Sequence, residues 1–176
     1  MKIIIIGFFM FLYACSIKNY YGELSPGDFI YVNQALVIKE NDARVSIQNG
    51  KVEDYARLDH FYPHCWFVSL KRNASSQVIQ SDTFKIIEIQ YRYDIVHKQN
   101  IGYRLSALML NGGAPVVNYT TEIIIGSDRQ KDITRLLCSH LEDPADAEHL
   151  TIAQIKQTLG SLVSFSLKAK QQSRLK

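Results

Sequence analysis

The chain has 176 residues, of which 47% are apolar, 20 are Lys or Arg and 17 are Asp or Glu, which gives a formal net charge of +3. This length fits one domain with a substantial core. The charge excess is too small to indicate a nucleic-acid-binding protein.

The N-terminal residues follow the order of an export signal. Lys2 gives a basic start, residues 3–12 are apolar, and Ala14 precedes Cys15 before the chain turns polar at Ser16. A basic start, an apolar stretch and a small residue at the cleavage site describe a signal peptide. The apolar run is about half of the ~20 residues that a helix needs to cross a bilayer.

The ending Leu12-Tyr13-Ala14-Cys15 resembles the lipobox of bacterial lipoproteins. The resemblance implies that residues 1–14 are removed, that the Cys15 sulfur carries a diacylglycerol and that its new amino group is acylated. Ser16, where an aspartate would indicate inner-membrane retention, implies the outer membrane and its periplasmic face. The body is similar to small Gram-negative envelope lipoproteins of unassigned function, so Cys15 alone takes a role from the family. The alternative interpretation is a buried N-terminal strand in a cytosolic protein.

Composition divides the rest of the chain into three parts. Residues 15–27 are interpreted as a lipid-anchored tether, residues 28–168 as a single β-rich domain and residues 169–176 as a basic tail. Four basic residues crowd the end of the chain from position 168 onward without an acidic one: Lys168, Lys170, Arg174 and Lys176. Such a segment is either a frayed, solvated terminus or a contact for anionic lipid or another polyanion.

Apolar, β-favouring runs separated by turn residues dominate the body. Asn49-Gly50 is a strong hairpin signal, because both residues tolerate positive φ, and Asn111-Gly112-Gly113 is a second candidate. Along residues 84–93, Ile87, Ile89, Tyr91 and Tyr93 alternate with Glu88, Gln90 and Arg92, which predicts two opposite faces of one strand. The predicted strands are 29–32, 35–38, 44–48, 51–55, 65–70, 84–93, 103–110, 116–125, 133–138 and 163–167.

One helix is predicted over about 151–159. Thr151 and Gln154 form a capping box, Ile152, Ile155 and Leu159 share a face, and Gly160 ends the helix. Asp143 to Glu148 is interpreted as a possible additional turn. With the strands, this predicts a mainly β fold: an antiparallel β-sandwich or a small, partly open barrel with one short C-terminal helix. We favour the sandwich, although the pattern does not separate the two.

Two cysteines remain once Cys15 is assigned to lipid. In an oxidising compartment Cys65 and Cys138 are expected to form a disulfide. His64 is adjacent to Cys65 in the sequence and His140 comes two residues after Cys138. A zinc site formed by these side chains is therefore the alternative. Adjacent His64 and Cys65 would, however, face opposite sides of a strand.

Residues 60–67 hold two of the five histidines, Cys65 and the single tryptophan, and their aromatic rings are interpreted as core or as a sugar-binding platform. The chain lacks a Gly-x-Ser-x-Gly elbow, a His-Glu-x-x-His motif and a phosphate-binding glycine loop. We therefore expect a non-enzymatic protein without a cofactor, held on the membrane by lipid on Cys15 and binding another envelope protein or polymer. The alternative is an envelope hydrolase, or a metal- or small-ligand-binding protein, that uses His60, His64 and His140.

Overall fold

The computed structural model describes residues 24–96, 116–145 and 148–167. Within them lie ten β-strands and one α-helix. The strands are β1 Phe29–Val32, β2 Leu36–Ile38, β3 Arg44–Gln48, β4 Lys51–Glu53, β5 His64–Ser69, β6 Gln77–Ile79, β7 Asp82–Val96, β8 Val116–Gly126, β9 Ile133–Glu142 and β10 Val163–Ser166. The helix is α1 Ile152–Leu159.

Eight strands form one antiparallel sheet in the order β10-β1-β7-β8-β9-β5-β3-β4. The sheet curls into a half-barrel, while β2 and β6 form a separate two-stranded sheet. The mainly β, antiparallel fold with one late helix is therefore confirmed. Of the two architectures considered, the half-barrel corresponds to the partly open barrel, because one curled sheet takes the place of two stacked ones.

The core fills the concave, inner face of the half-barrel. Side chains from neighbouring strands meet there in register, as in the row Ile123, Leu136 and Phe67 across β8, β9 and β5, all fully buried. The ring of Phe67 lies 6.4 Å from that of Phe84 on β7. Leu36, Ile38 and Ile79 from the small sheet and Ile155 and Leu159 from α1 belong to the same cluster. The small sheet and the helix thus close the inner face from the other side.

Helix α1 begins and ends as its sequence predicts. Thr151 accepts a hydrogen bond from the Gln154 backbone N–H, and the Gln154 side chain accepts one from the Thr151 backbone N–H. At the other end Gly160 has φ 57° and ψ −141°, a conformation that only glycine adopts readily. The Gly50 N–H donates to Thr158 O at 2.8 Å, so the β3–β4 turn docks on the end of α1.

Strand β7 contains a β-bulge at Ile87. Ile86 pairs with Ile125 and Glu88 with Ile124, so Ile87 has no partner of its own on β8. The extra residue changes the alternation: Phe84 and Ile86 face the core before it, and Ile89 and the odd-numbered residues face inward after it. The prediction that Ile89, Tyr91 and Tyr93 share one face agrees with this register, whereas Ile87 lies at the bulge and is 57% exposed.

Most predicted strands are present, with some changes of extent. β9 continues to Glu142 instead of stopping at 138, β4 ends at Glu53, and a 3₁₀ turn follows over Tyr55–Arg57. β6 was not predicted. The leader and Cys15, the strand 103–110 with its glycine turn, and the basic tail lie outside the described residues, as does the tether up to residue 23.

Candidate functional site

Cys65 and Cys138 form the predicted disulfide. They are register partners on β5 and β9, with Cα atoms 4.0 Å apart, and both are fully buried on the inner face. Because both sulfurs are joined to each other, neither is a thiolate ligand for zinc. Over residues 24–96, 116–145 and 148–167 there is no group of three or more His, Cys, Asp or Glu side chains that could hold a metal ion.

His60 and His64 form a pair on the convex, outer face of the sheet. Nδ1 of His60 lies 3.3 Å from Nε2 of His64, and Nδ1 of His64 lies 3.0 Å from Tyr62 O. A carbonyl can only accept, so His64 carries its proton on Nδ1 and its Nε2 accepts from His60. The His64 ring also stacks on Trp66 at 5.5 Å, and Tyr55 meets both His60 and Trp66 edge-on.

Burial keeps His64 neutral. Its side chain is almost fully enclosed, and loss of water lowers its pKa to about 4, against the raising effect of the bond to Tyr62. Burial also lowers the pKa of His60, partly offset by the nearby Asp59. Both histidines are therefore neutral, hydrogen-bonded groups, with His60 in the loop before β5 and His64 at the first position of that strand.

His140 lies on the opposite side of the sheet from this pair. His64 is the register partner of Ser139, and side chains alternate along a strand, so the neighbouring His140 faces inward. There its Nε2 lies 2.7 Å from Glu142 Oε2, and its ring packs against Tyr119 at 6.1 Å. Of the three histidines suggested as one site, the structure brings together His60 and His64 and separates His140.

Ser139 on β9 is the register partner of His64 on β5. Its Oγ is fully buried and lies within hydrogen-bonding distance of Asn118 Oδ1, Tyr119 O and Thr120 Oγ1. These partners occupy the hydroxyl with strand-to-strand contacts. The described hydrogen bonds of Ser139 thus hold β8 to β9 and do not include a histidine.

The clefts among the described residues include two with mainly polar linings. One, of about 210 Å³, is lined by ion-paired side chains including Lys39, Asp54 and Arg44, together with Tyr55. The other, of about 280 Å³, lies beside Asp82. Neither is lined by His60, His64 or His140.

An exposed, mainly aromatic surface lies on the inner side of β7 and β8, beyond the core. It consists of Tyr91, Tyr93 and Ile95 on β7, Tyr119 on β8 and His149 before α1, and we call it the tyrosine surface. Tyr93 is 68% exposed, Ile95 56% and Tyr91 42%.

Ring contacts hold the tyrosine surface in place. Tyr93 stacks on its register partner Tyr119 with 6.4 Å between centroids. The His149 ring meets Tyr119 at 5.3 Å and Tyr91 at 5.1 Å, both edge-on. Burial lowers the pKa of His149, which favours the neutral imidazole in this apolar setting. The surface is therefore a connected set of aromatic rings.

Sequence reasoning missed this surface as a functional candidate. The alternation over 84–93 did place Tyr91 and Tyr93 on one face, but it assigned that face no function. Tyr119 and His149 join them only through the β7–β8 register and the position of the segment before α1, which local patterns do not report.

The outer face opposite the tyrosine surface is charged instead. Glu122 is buried and lies 2.8 Å from Arg92 and 3.1 Å from Arg135, each guanidinium being partly exposed. The two faces of β7 and β8 therefore differ sharply in chemistry.

No protein-family model matches the chain, and comparisons with curated proteins and with solved structures find no similar protein. Among the described residues, no helix has the length and apolar character needed to cross a membrane.

Proposed function

We propose that this protein is a non-enzymatic, lipid-anchored envelope protein on the periplasmic face of a bacterial outer membrane, where it binds another envelope protein or polymer. The lipobox-like ending at Cys15 supports the anchor and the location. The tyrosine surface supports the binding role and is the observation that carries it.

Three properties suit the tyrosine surface to binding. Tyrosine is enriched among residues that dominate binding energies, because it offers a large apolar area with a polar handle. The rings of Tyr93, Tyr119 and His149 contact one another, so little side-chain freedom is lost when a partner binds. The strands beneath are paired along their length, so the surface has a rigid support.

Photo-crosslinking in cells tests the binding role. A photoreactive phenylalanine analogue at position 93 lies on the tyrosine surface, while the same analogue at position 94 lies on the opposite face of the same strand. We expect a discrete crosslinked product from position 93 and none from position 94. Protease digestion of the product then separates a protein partner from a polymer.

The same products from both positions, or none from position 93, would contradict binding through this surface. A further variant, Tyr91→Ala with Tyr93→Ala, is expected to abolish the product formed from an analogue at position 95. Replacement of Arg92 by Gln on the other face is the matched control, since it should leave that product unchanged.

Mass spectrometry of the protein extracted from membranes tests the anchor. We expect cleavage before Cys15 and an added diacylglycerol and acyl mass. A protein that keeps Met1 and fractionates away from membranes would contradict the anchor, whatever the crosslinking result.

A further inference from the structure

Strand β4 forms one end of the eight-stranded sheet. Of the strands that the structure describes, it pairs with β3 alone, in the hairpin that the Asn49–Gly50 turn closes. All three of its residues, Lys51, Val52 and Glu53, are exposed. The side of β4 that faces away from β3 is therefore an exposed strand edge, and such an edge presents backbone donors and acceptors to another strand.

The turn determines which backbone groups point to that edge. Asn49 and Gly50 have φ 52° and 71°, as in a type I′ turn. The turn closes with a hydrogen bond between the residues on either side of it, so Lys51 directs its N–H toward β3. Backbone groups alternate in direction along an antiparallel strand. The N–H and C=O of Val52 consequently point to the exposed edge, where they can pair with one residue of a further strand.

The side chains of β4 are complementary to a second copy of themselves. Lys51 and Glu53 lie on one face of the strand, and Val52, which is 46% exposed, lies between them on the other. When two β4 strands run antiparallel about a two-fold axis at Val52, each Lys51 lies opposite Glu53 of the second copy. Opposite charges directly across two strands attract each other, and the two valines meet on the other face.

Other pairings of the same strand are disfavoured by charge. Antiparallel pairing centred on Lys51 or on Glu53 places that residue opposite itself, and parallel pairing in register does so for both, so like charges repel. An unrelated strand would have to match the order Lys-Val-Glu, since charges on an edge discourage the addition of unmatched strands. A second copy of this chain is the partner that the charge pattern fits.

We propose that two copies of this protein associate through β4, as a two-fold pair in which their eight-stranded sheets join edge to edge. Asp54 is still extended, with φ −67° and ψ 135°, so the same register places Gly50 of each copy opposite Asp54 of the other. Asp54 and Val52 line the cleft of about 210 Å³ described above, and the turn of the second copy lies at its mouth.

The proposed contact is separate from the tyrosine surface. Three strands, β9, β5 and β3, lie between β8 and β4 in the sheet. The inference therefore rests neither on the lipid anchor nor on the binding role proposed above, and its failure would leave both untouched.

Charge reversal at β4 tests the proposal on the whole protein, purified in mild detergent. Sedimentation velocity over a series of concentrations measures association, and we expect a concentration-dependent dimer. Lys51→Glu and Glu53→Lys each place two pairs of like charges across the axis, so each should weaken association by about ten-fold or more. Neither residue belongs to a salt bridge among the described side chains, so both variants should keep the fold.

Mixing the two variants is the decisive measurement. An equal mixture of Lys51→Glu and Glu53→Lys should associate about as tightly as the unchanged protein, because every charge then meets its opposite across the axis. The matched control is Lys131→Glu, which makes the same charge change at an exposed position of the β8–β9 loop and should have no effect. A protein that stays monomeric, single variants that associate as before, a mixture that recovers nothing, or a control that is equally weakened would each overturn the proposal.

Discussion

His64 makes the stability of this protein depend on pH. Its neutral Nδ1–H tautomer is specified by Tyr62 O on one side and His60 on the other, and its folded pKa is about 4 against an ordinary value of 6.5. The charged form is therefore disfavoured by folding. The contribution is fully present above pH 6.5 and is lost as the pH falls from 6.5 toward 4.

We expect the free energy of unfolding to drop by about 2 to 3 kcal/mol from His64 between pH 7.5 and 4.5. Urea denaturation at both pH values measures this drop. In His64→Gln the drop should be smaller by that amount, since the other four histidines and all carboxylates are retained. Equal drops in the two proteins would show that His64 titrates normally in the folded state.

Asp82 is also buried, but the fold favours its charged form, whereas it favours the neutral form of His64. Burial alone would raise its pKa, but bonds from Gln130, Ser127 and Arg129 outweigh this and hold the pKa well below its usual range. Asp82 therefore stays ionised in conditions that protonate His64. The loop between β8 and β9 keeps its contacts with β7 under mild acid.

At the scale of residues, the sequence predicted the cysteine pair correctly, but it did not predict which histidines lie together. The Cys65–Cys138 bond followed from assigning Cys15 elsewhere, and strand alternation already placed His64 and Cys65 on opposite faces. The position of His140 relative to His64 depends on how β5 aligns with β9. That register is set by side chains far apart in sequence, so the proposed histidine site could not be tested by local reasoning.

At the scale of elements, the end of α1 is tightly constrained by the β3–β4 turn. Gly160 has positive φ, and a Cβ there would lie 2.8 Å from the Cα of Gly50, a backbone atom that cannot easily move. Gly160→Ala should therefore destabilise the protein by about 3 kcal/mol through backbone strain and this clash. Urea denaturation with near-ultraviolet detection measures the loss.

Gly126→Ala is the matched control for that variant. Its added Cβ would meet only the flexible end of the Ile87 side chain, at 3.1 Å. We expect a change within about 1 kcal/mol. Comparable losses in the two variants would mean that the Gly50–Gly160 contact is looser than the structure describes.

Elements with local signals were the ones predicted correctly. The capping box, the hydrophobic face and Gly160 are all within ten residues of one another, and the helix followed from them. β6 is only three residues long and is recognised by its pairing with β2, which is about 40 residues away. The Ile87 bulge is likewise a property of two strands and not of one.

At the scale of the whole molecule, the disulfide joins strands 73 residues apart in the chain. Closing a loop of that length restricts the unfolded state and should contribute about 4 kcal/mol in the chain-entropy model. Because both cysteines are fully buried, reductant should reach them only when the domain opens.

Replacement of both Cys65 and Cys138 by Ala tests this contribution. We expect the urea midpoint to fall strongly and the denaturant dependence to rise, because the unfolded chain without the crosslink is less compact and exposes more surface. Thiol labelling of the denatured, unreduced native protein should detect neither cysteine. Labelling of both, with no shift of the midpoint in the double variant, would contradict a structural disulfide.

The architecture of the whole was only partly predictable. Strand content and turn residues indicated an antiparallel β fold, but a sandwich and a half-barrel share those patterns. The choice depends on β1, which pairs with both β7 and β10 and so joins the C-terminal strand to the rest of the sheet. Such a connection across more than 130 residues leaves no mark in local sequence.

The unpaired Ile87 has a consequence for how β7 tolerates changes of length. Deletion of Ile87 alone would leave Ile86 opposite Ile125 and Glu88 opposite Ile124, so the side chains beyond it would keep their faces. Deletion of Ile89 with the bulge retained would instead turn the rest of the strand over and bring Gln90 and Arg92 to the inner side. A length change is thus silent at one position of this strand, and two positions later it exchanges an aromatic specificity for a charged one.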